Sequence, residues 1–324
     1  MYSMKAVFSQ NGLQSTMHAS LSQNKERVMS RSVQTVLVVG AAGKFAGLVV
    51  PELVARGVRV RGLVRDERGA AQARQRGASE IAIGDLRDVA SQERAAAGVD
   101  GVFYIGPAFA AEETQMGLNM IDVAQRAGVR RFVFSSVIQP TDTSLENHVV
   151  KVPVESALYA SGMAYTILHP ANFFQNLERG WDGIVAQGRL AEPLPASTRV
   201  ARVDYRDVAE VAAIALTSDR LAYGTFELCS DEAPTRGEIA RLISDALGRE
   251  IEAAEMSFEQ WAARAARVLD PHQLAMLGNV QKHYARHGLR GNSLTLRAIL
   301  GRPPRTLAQY IGELAAATRM PSVA

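Results

Sequence analysis

One cysteine, Cys229, stands in 324 residues, which leaves no partner for an internal disulfide and too few thiolates for a cysteine-rich metal site. A chain built this way suits a reducing compartment, and a cytoplasmic location without structural zinc is expected. Long apolar runs are missing too. No stretch reaches the roughly 18 residues of a membrane-crossing helix, and the first thirty residues lack the apolar centre of a secretory signal. Charge of one sign is scarce: the formal net charge is +3, and Lys and Arg are spread along the chain instead of gathered in a basic arm, so nucleic acid is not an expected partner. The six histidines are scattered; His283 and His287 form an i, i+4 pair without an intervening glutamate, which reads as a helix face and not as a metal site. What remains is an ordinary globular composition, 47% hydrophobic and 21% charged, long enough to bury a large core.

Residues 1–32 are rich in Ser, Gln and Asn and contain Met1, Met4, Met17 and Met29. They read as a flexible tail, and Met29 stands close enough to the first strand for the upstream segment to be an extension with no part in the fold. From Val33 short apolar runs alternate with amphipathic stretches, the pattern of a parallel sheet flanked by helices. Strands are expected at Val36 to Val39, Val58 to Val64, Glu80 to Gly84, Gly101 to Ile105, Arg131 to Phe134 and Tyr165 to Leu168. Helices are expected after Gly47, over Gly69 to Gly77, Glu112 to Ala127 and Val152 to Ser161. Pro51 should make the first helix start late or bend near Gly47. Past Pro170 the alternation weakens; helices are expected over Val208 to Leu216, Arg236 to Leu247 and, as one long Ala-rich segment, Phe258 to Val280. The reading is an α/β, doubly wound parallel Rossmann sheet over 33–170, with a smaller mixed α/β substrate region over 171–324 that lends some elements to the sheet.

The first strand runs into Gly40, Gly43 and Gly47. A strand that turns sharply into a helix can bring backbone N–H groups against a pyrophosphate only where no side chain obstructs the approach, and the helix N-terminus adds a favourable dipole. Gly40, Ala42, Gly43, Lys44 and Phe45 are therefore the expected phosphate loop. The second strand ends in Arg65 where an NAD-preferring fold carries an acid, and a guanidinium favours the 2′-phosphate of NADP(H). Lys44 could add a second positive charge there or be a solvated surface lysine, and Asp66 could still hold a ribose. Asp85 and Leu86 follow the third strand, where they are expected to meet the adenine, Asp85 at the exocyclic amine and Leu86 on the ring face; a loop-capping role for Asp85 is the alternative. Gly106 and Pro107 stop the fourth strand at the same edge.

Gly40-Ala41-Ala42-Gly43, Leu63-Val64-Arg65, Gly84-Asp85-Leu86, Arg131 to Ser136 and Ser161 to Pro170 together resemble the NmrA-like group of atypical short-chain dehydrogenase/reductases. The likeness continues through Phe173 to Asn176, Val203 to Ala209 and Leu300 to Pro304. It implies an NADP(H)-binding Rossmann domain with a smaller C-terminal substrate domain, in members that reduce quinones, dyes or phenylpropanoids and in members that sense the nucleotide without turnover. It also implies that Lys151 contacts the nicotinamide ribose, and that Pro170, Ala171, Asn172 and Phe173 form the loop beside the nicotinamide. Ordinary short-chain dehydrogenases have a tyrosine four residues before that lysine; here the residue is Asn147. His148, within a turn of Lys151, is the substitute proton donor expected from its side-chain chemistry, with an ordinary exposed histidine as the alternative. His169 replaces the arginine more usual before the proline. Trp181, Tyr205 and Tyr284 are candidate pocket aromatics, though such residues are more often core.

The expected activity is an NADPH-dependent reductase passing hydride to an unsaturated or carbonyl-containing, quinone-like or aromatic small molecule. The alternative is a nucleotide-sensing regulator that switches a protein partner; a homodimer is also open. An epimerase acting on a nucleotide sugar is disfavoured by the absent Tyr-x-x-x-Lys pair.

Overall fold

The computed structural model describes residues 33–319; the tail expected over 1–32 lies outside them. The strand β1 (Thr35–Val39) is buried at every position, as a strand covered on both faces must be. The chain then turns through one short 3₁₀ segment (Ala46–Leu48) into α1 (Val49–Val54). Pro51 sits in the first turn, where its missing N–H removes no helical hydrogen bond, so the helix starts late as expected. There follow β2 (Arg59–Val64), α2 (Glu67–Gln75), β3 (Glu80–Ile83), α3 (Val89–Ala96), β4 (Gly101–Ile105), α4 (Glu113–Arg126), β5 (Arg131–Ser135), a single turn α5 (Glu146–Val149), α6 (Val152–Ala160) and β6 (Ala164–Pro170). No pattern in the sequence points to α3. It is short, and its buried face is made of Ser91, Gln92, Ala95 and Ala96 in place of large apolar residues, while its start is set by Asp88, whose carboxylate accepts from the Ala90 N–H.

Beyond β6 come β7 (Asn172–Phe173), a 3₁₀ stretch (Phe174–Gly180), α7 (Trp181–Gln187), β8 (Arg189–Glu192), β9 (Arg202–Val203), α8 (Tyr205–Thr217), β10 (Gly224–Leu228), α9 (Arg236–Leu247), β11 (Glu252–Glu255), α10 (Phe258–Ala265), α11 (Pro271–His287), α12 (Leu294–Leu300) and α13 (Leu307–Arg319). The helix expected over Phe258 to Val280 is two helices. Asp270 and Gln273 form a reciprocal capping box, and Pro271 takes the first helical position, which starts α11 and leaves α10 to end before it.

All seven strands of the main sheet pair in parallel, in the order β10-β6-β5-β4-β1-β2-β3. The chain winds outward from β1 to β3, crosses back to β4 and winds the other way, so the turns after β1 and β4 diverge and leave a crevice at their carboxyl ends. One face of the sheet packs on α1 and α8 through Val38, Val50, Leu53, Val208 and Ala212; the other packs on α3, α4 and α6 through Leu37, Ala95, Met120, Phe132 and Leu158. A third apolar cluster, built from Phe174, Trp181, Ile239, Ile243, Leu307 and Ile311, makes the core of the C-terminal part. Among the described residues no helix is long and apolar enough to cross a membrane, and no group of three metal-ligating side chains converges.

Candidate functional site

At the crevice the glycine loop has a defined shape. Gly40 adopts φ +73°, and its amide and that of Ala41 bond to the Leu63 carbonyl on β2. A Cβ on Gly43 would lie 2.9 Å from the Gly40 oxygen, a contact that requires glycine. The Gly43 N–H is spent inside this turn on Gly40 O at 2.7 Å. The amides of Ala42, Lys44 and Phe45 have no acceptor among the described residues, and they are the donors left to meet an anion. Arg76, at the end of α2, stiffens the loop from behind: one nitrogen donates to both Ala41 O and Gly43 O at 2.9 Å, and burial lowers its pKa. Nothing local in the sequence points to Arg76, since it acts across 33 residues from Gly43.

Arg65 leaves β2 at the crevice edge with its side chain exposed and without a partner among the described residues. Asp66 is committed: it caps α2 by accepting from the Gly69 N–H at 2.7 Å. Lys44 is turned away from Arg65. It donates to Gln175 O and pairs with Glu178 at 2.9 Å, which gives its charge a partner other than an adenosine phosphate. Asp85 is a turn residue, its carboxylate accepting from the Arg87 N–H at 2.8 Å, while Leu86 is half-buried on the α3 side and its carbonyl is held by Gln92 at 2.6 Å.

The opposite wall of the crevice is polar. Lys151, just before α6, reaches Glu113 at the start of α4; the Glu113 side chain is buried and that of Lys151 nearly so. Glu113 also explains Gly106, whose Cβ would come within 2.9 Å of that carboxylate. The second Glu113 oxygen, the Tyr104 hydroxyl and Asn147 Oδ1 are buried without partners, and burial together with the Glu113 charge raises the Tyr104 pKa. Glu113 went unrecognised in the sequence because it reads as the ordinary acidic first turn of an amphipathic helix.

The surroundings of His148 do not favour a proton donor. Its ring is buried, Nδ1 lies 3.3 Å from Gln139 O, and burial pulls its pKa down to about 4, so it is neutral near pH 7 and has no imidazolium proton to deliver. One helical turn along α6 from Lys151, Glu155 is buried between two partners: Ser136 donates to it at 2.5 Å, and His169 lies 2.9 Å from the same oxygen. His169 thus stands where it can bridge β6 to α6 as a longer arginine would.

Pro170 ends β6, and its carbonyl accepts from Ile138. Beyond it Phe173 and Asn172 point to opposite sides of β7. Phe173 packs against Phe45 of the glycine loop, centroids 4.6 Å apart, and against Tyr205 at 4.7 Å. Tyr205 is core, its hydroxyl donating to Ser135, and Trp181 is core of the C-terminal part, donating to Thr318. The segment Asp204 to Asp207 is structural. Asp204 caps α8 and grips Arg206 and Gln175, while the fully buried Asp207 receives the Arg305 N–H at 2.8 Å and the side chains of Arg302 and Arg305. The loop after β5 is tied to α11 by Ser144 with His283, and by Asn279 with Ser144 O; between them lies an open cavity of about 430 Å³ bordered by Gln139, Asp142, His287 and Arg290.

Residues 32–288 match the model of the NmrA-like family. Among curated proteins, the NAD(P)H azoreductase of Xenophilus azovorans is 31% identical over 284 residues, covering 87% of this chain and 98% of its own, and the quinone oxidoreductase 2 of Escherichia coli is 25% identical over 86% of this chain and 98% of its own. The crystal structure of the NADPH-dependent quinone oxidoreductase of E. coli complexed with NADPH superposes with a TM-score of 0.75 at 23% identity, over 87% of this chain and 99% of the other.

Proposed function

This chain belongs to the NmrA-like family of NAD(P)-binding, Rossmann-type atypical short-chain dehydrogenase/reductases and is an NAD(P)H-dependent oxidoreductase of it, and on that premise we propose that it prefers NADPH and reduces a quinone-like, azo or other unsaturated or carbonyl-containing aromatic molecule. The observation that carries the cofactor preference is the pair at the end of β2: Arg65 is exposed and unpartnered, while the acid beside it is spent on capping α2. A guanidinium there can form charge-assisted bonds to the adenosine 2′-phosphate, and no free carboxylate competes for the ribose hydroxyls.

The free amides of Ala42, Lys44 and Phe45 would hold the diphosphate, with Gly40 and Gly43 keeping side chains out of its path. Leu86 would lie against the adenine, with Asp85 as the turn that positions it. Lys151 would meet the nicotinamide ribose hydroxyls, and Gly106, Pro170, Asn172 and Phe173 would border the nicotinamide. The nicotinamide supplies hydride when bound; this chain's own contribution is orientation, exclusion of water and a local positive charge from Lys151 that stabilises negative charge on an accepting oxygen or nitrogen. With Asn147 in place of tyrosine and His148 neutral, the proton comes from solvent, which an acceptor that is stable as an anion tolerates. The test is NADPH consumption with a panel of quinones, azo dyes and enones, run against NADH; no turnover across the panel refutes the reductase reading.

One observation favours a second reading. Lys151 is already satisfied by Glu113, as it would be in a protein that binds nucleotide without chemistry. Calorimetry with NADP⁺ and NADPH separates the two, since a redox sensor must bind one form more tightly.

A further inference from the structure

Among the described residues three arginines are buried, Arg131, Arg202 and Arg236, and they differ in how far their guanidinium groups are satisfied. Arg131 pairs with Asp219 and donates to Ser218 O at 2.9 Å; Arg236 donates to Glu192 O at 3.1 Å and Leu194 O at 2.7 Å, though its Nε is buried without a partner. Arg202 has the fewest hydrogen bonds of the three. It is 6% exposed, makes one hydrogen bond, to Asn172 Oδ1 at 3.2 Å, and its Nε is buried with no partner. Its ion pair with Glu192 is long, at 3.9 Å. Taking such a cation out of water costs several kcal/mol unless acceptors replace the lost hydration.

Its position gives the cost a purpose. Arg202 lies on β9, directly opposite Asn172 in the β7–β9 ladder. Asn172 belongs to the segment assigned above to the nicotinamide side, and its neighbour Phe173 packs on the glycine loop through Phe45. From the C-terminal part, the buried Tyr284 of α11 lies near enough for the Arg202 charge to act on its hydroxyl. We propose that Arg202 is the anion-recognising residue of the substrate site, with Asn172 beside it, and that the preferred acceptors are aromatic molecules bearing a carboxylate or sulfonate. The incoming anion supplies the acceptors that the fold withholds, and its planar oxygens match the guanidinium fork. This rests on the reductase reading and narrows its substrate class.

The test compares 1,2-naphthoquinone with 1,2-naphthoquinone-4-sulfonate in the wild type, Arg202→Gln and Arg202→Lys, using NADPH as donor. Because each ratio of kcat/KM is taken within one protein, intrinsic differences in acceptor reactivity cancel between proteins. In R202Q the sulfonate-over-neutral ratio should fall by about tenfold to a hundredfold, the range for a lost hydrogen bond to a charged group, with R202K in between and the NADPH dissociation constant moving less than the ratio. An unchanged ratio overturns the proposal. Calorimetry with 2-naphthalenesulfonate and the NADPH complex reads the same residue without turnover: binding by the wild type that weakens in R202K supports the assignment, and no binding overturns it. Turnover absent in every protein together with intact sulfonate binding would sink the reductase reading while leaving the anion site standing.

Discussion

Replacing Lys151 by Met should test the polar wall of the crevice most directly. The Lys151 and Glu113 side chains are 12% and 5% exposed, so this is a buried ion pair, and its removal leaves a carboxylate that has already lost one partner beside the equally unpartnered Tyr104 hydroxyl. Breaking such a pair from one side costs about 3–5 kcal/mol, whereas an exposed pair is worth about 1 kcal/mol or less. In a chain of this size that lowers Tm by roughly 6–10 °C. Glu113→Gln combined with Lys151→Met should recover more than half of the loss, because the uncompensated charge is then gone. The assay is denaturant unfolding of the wild type, both single variants and the double variant as a cycle. A single-variant cost below about 1 kcal/mol, or a double variant no better than K151M, refutes the buried-pair argument. The same set has a functional arm. E113Q frees Lys151, so it should tighten NADPH while K151M weakens it, each read by calorimetry.

Arg65→Asp should reverse the cofactor preference, with kcat/KM for NADPH falling about tenfold to a hundredfold relative to NADH; an unaltered preference removes the 2′-phosphate role. Arg76→Met takes away the donor shared by Ala41 O and Gly43 O and should raise the NADPH dissociation constant about tenfold with far less effect on stability. His148, whose folded pKa of about 4 lies below its unfolded value of 6.5, gives acid sensitivity of a definite sign. The unfolded chain binds the proton first, so stability present above pH 6.5 is lost as pH falls toward 4, by up to about 3 kcal/mol; urea titrations should show H148Q losing less than the wild type over that window. Asp207→Asn should cost about 3 kcal/mol or more by leaving Arg302 and Arg305 without their buried carboxylate, measured by thermal unfolding.

The six strands up to Pro170 and the helices α1, α2, α4 and α6 were legible because local pattern and tertiary role coincide: short apolar stretches, most of them stopped by Gly, Pro or Ser. The strand β10 was not, since at the sheet edge Thr225 is exposed, Phe226 and Glu227 are only half-buried, and the strand carries no continuous apolar run. The helix α3 was hidden by small residues, and the break before α11 was misread by weighting alanine content over an Asp-Pro start. At the site, Gly40 and Arg65 stand out by their position along the chain, while Lys151 is singled out only by the family resemblance. Glu113, Arg76, Glu155 and Arg202 do not stand out, because each acquires meaning only from a partner 14 or more residues away.

The position of β10 carries a consequence for how this molecule is made. After β6 the polypeptide leaves the sheet, builds α7, β8, β9 and α8, and only then returns to lay Gly224–Leu228 along β6. While a ribosome is still synthesising residues short of 224, β6 offers a bare row of amides and carbonyls with nothing beside it. Synthesis that stalls in that interval should yield sticky, protease-sensitive nascent chains, and cutting the gene after Pro170 should leave a fragment that pairs with other copies of itself instead of a free-standing nucleotide binder.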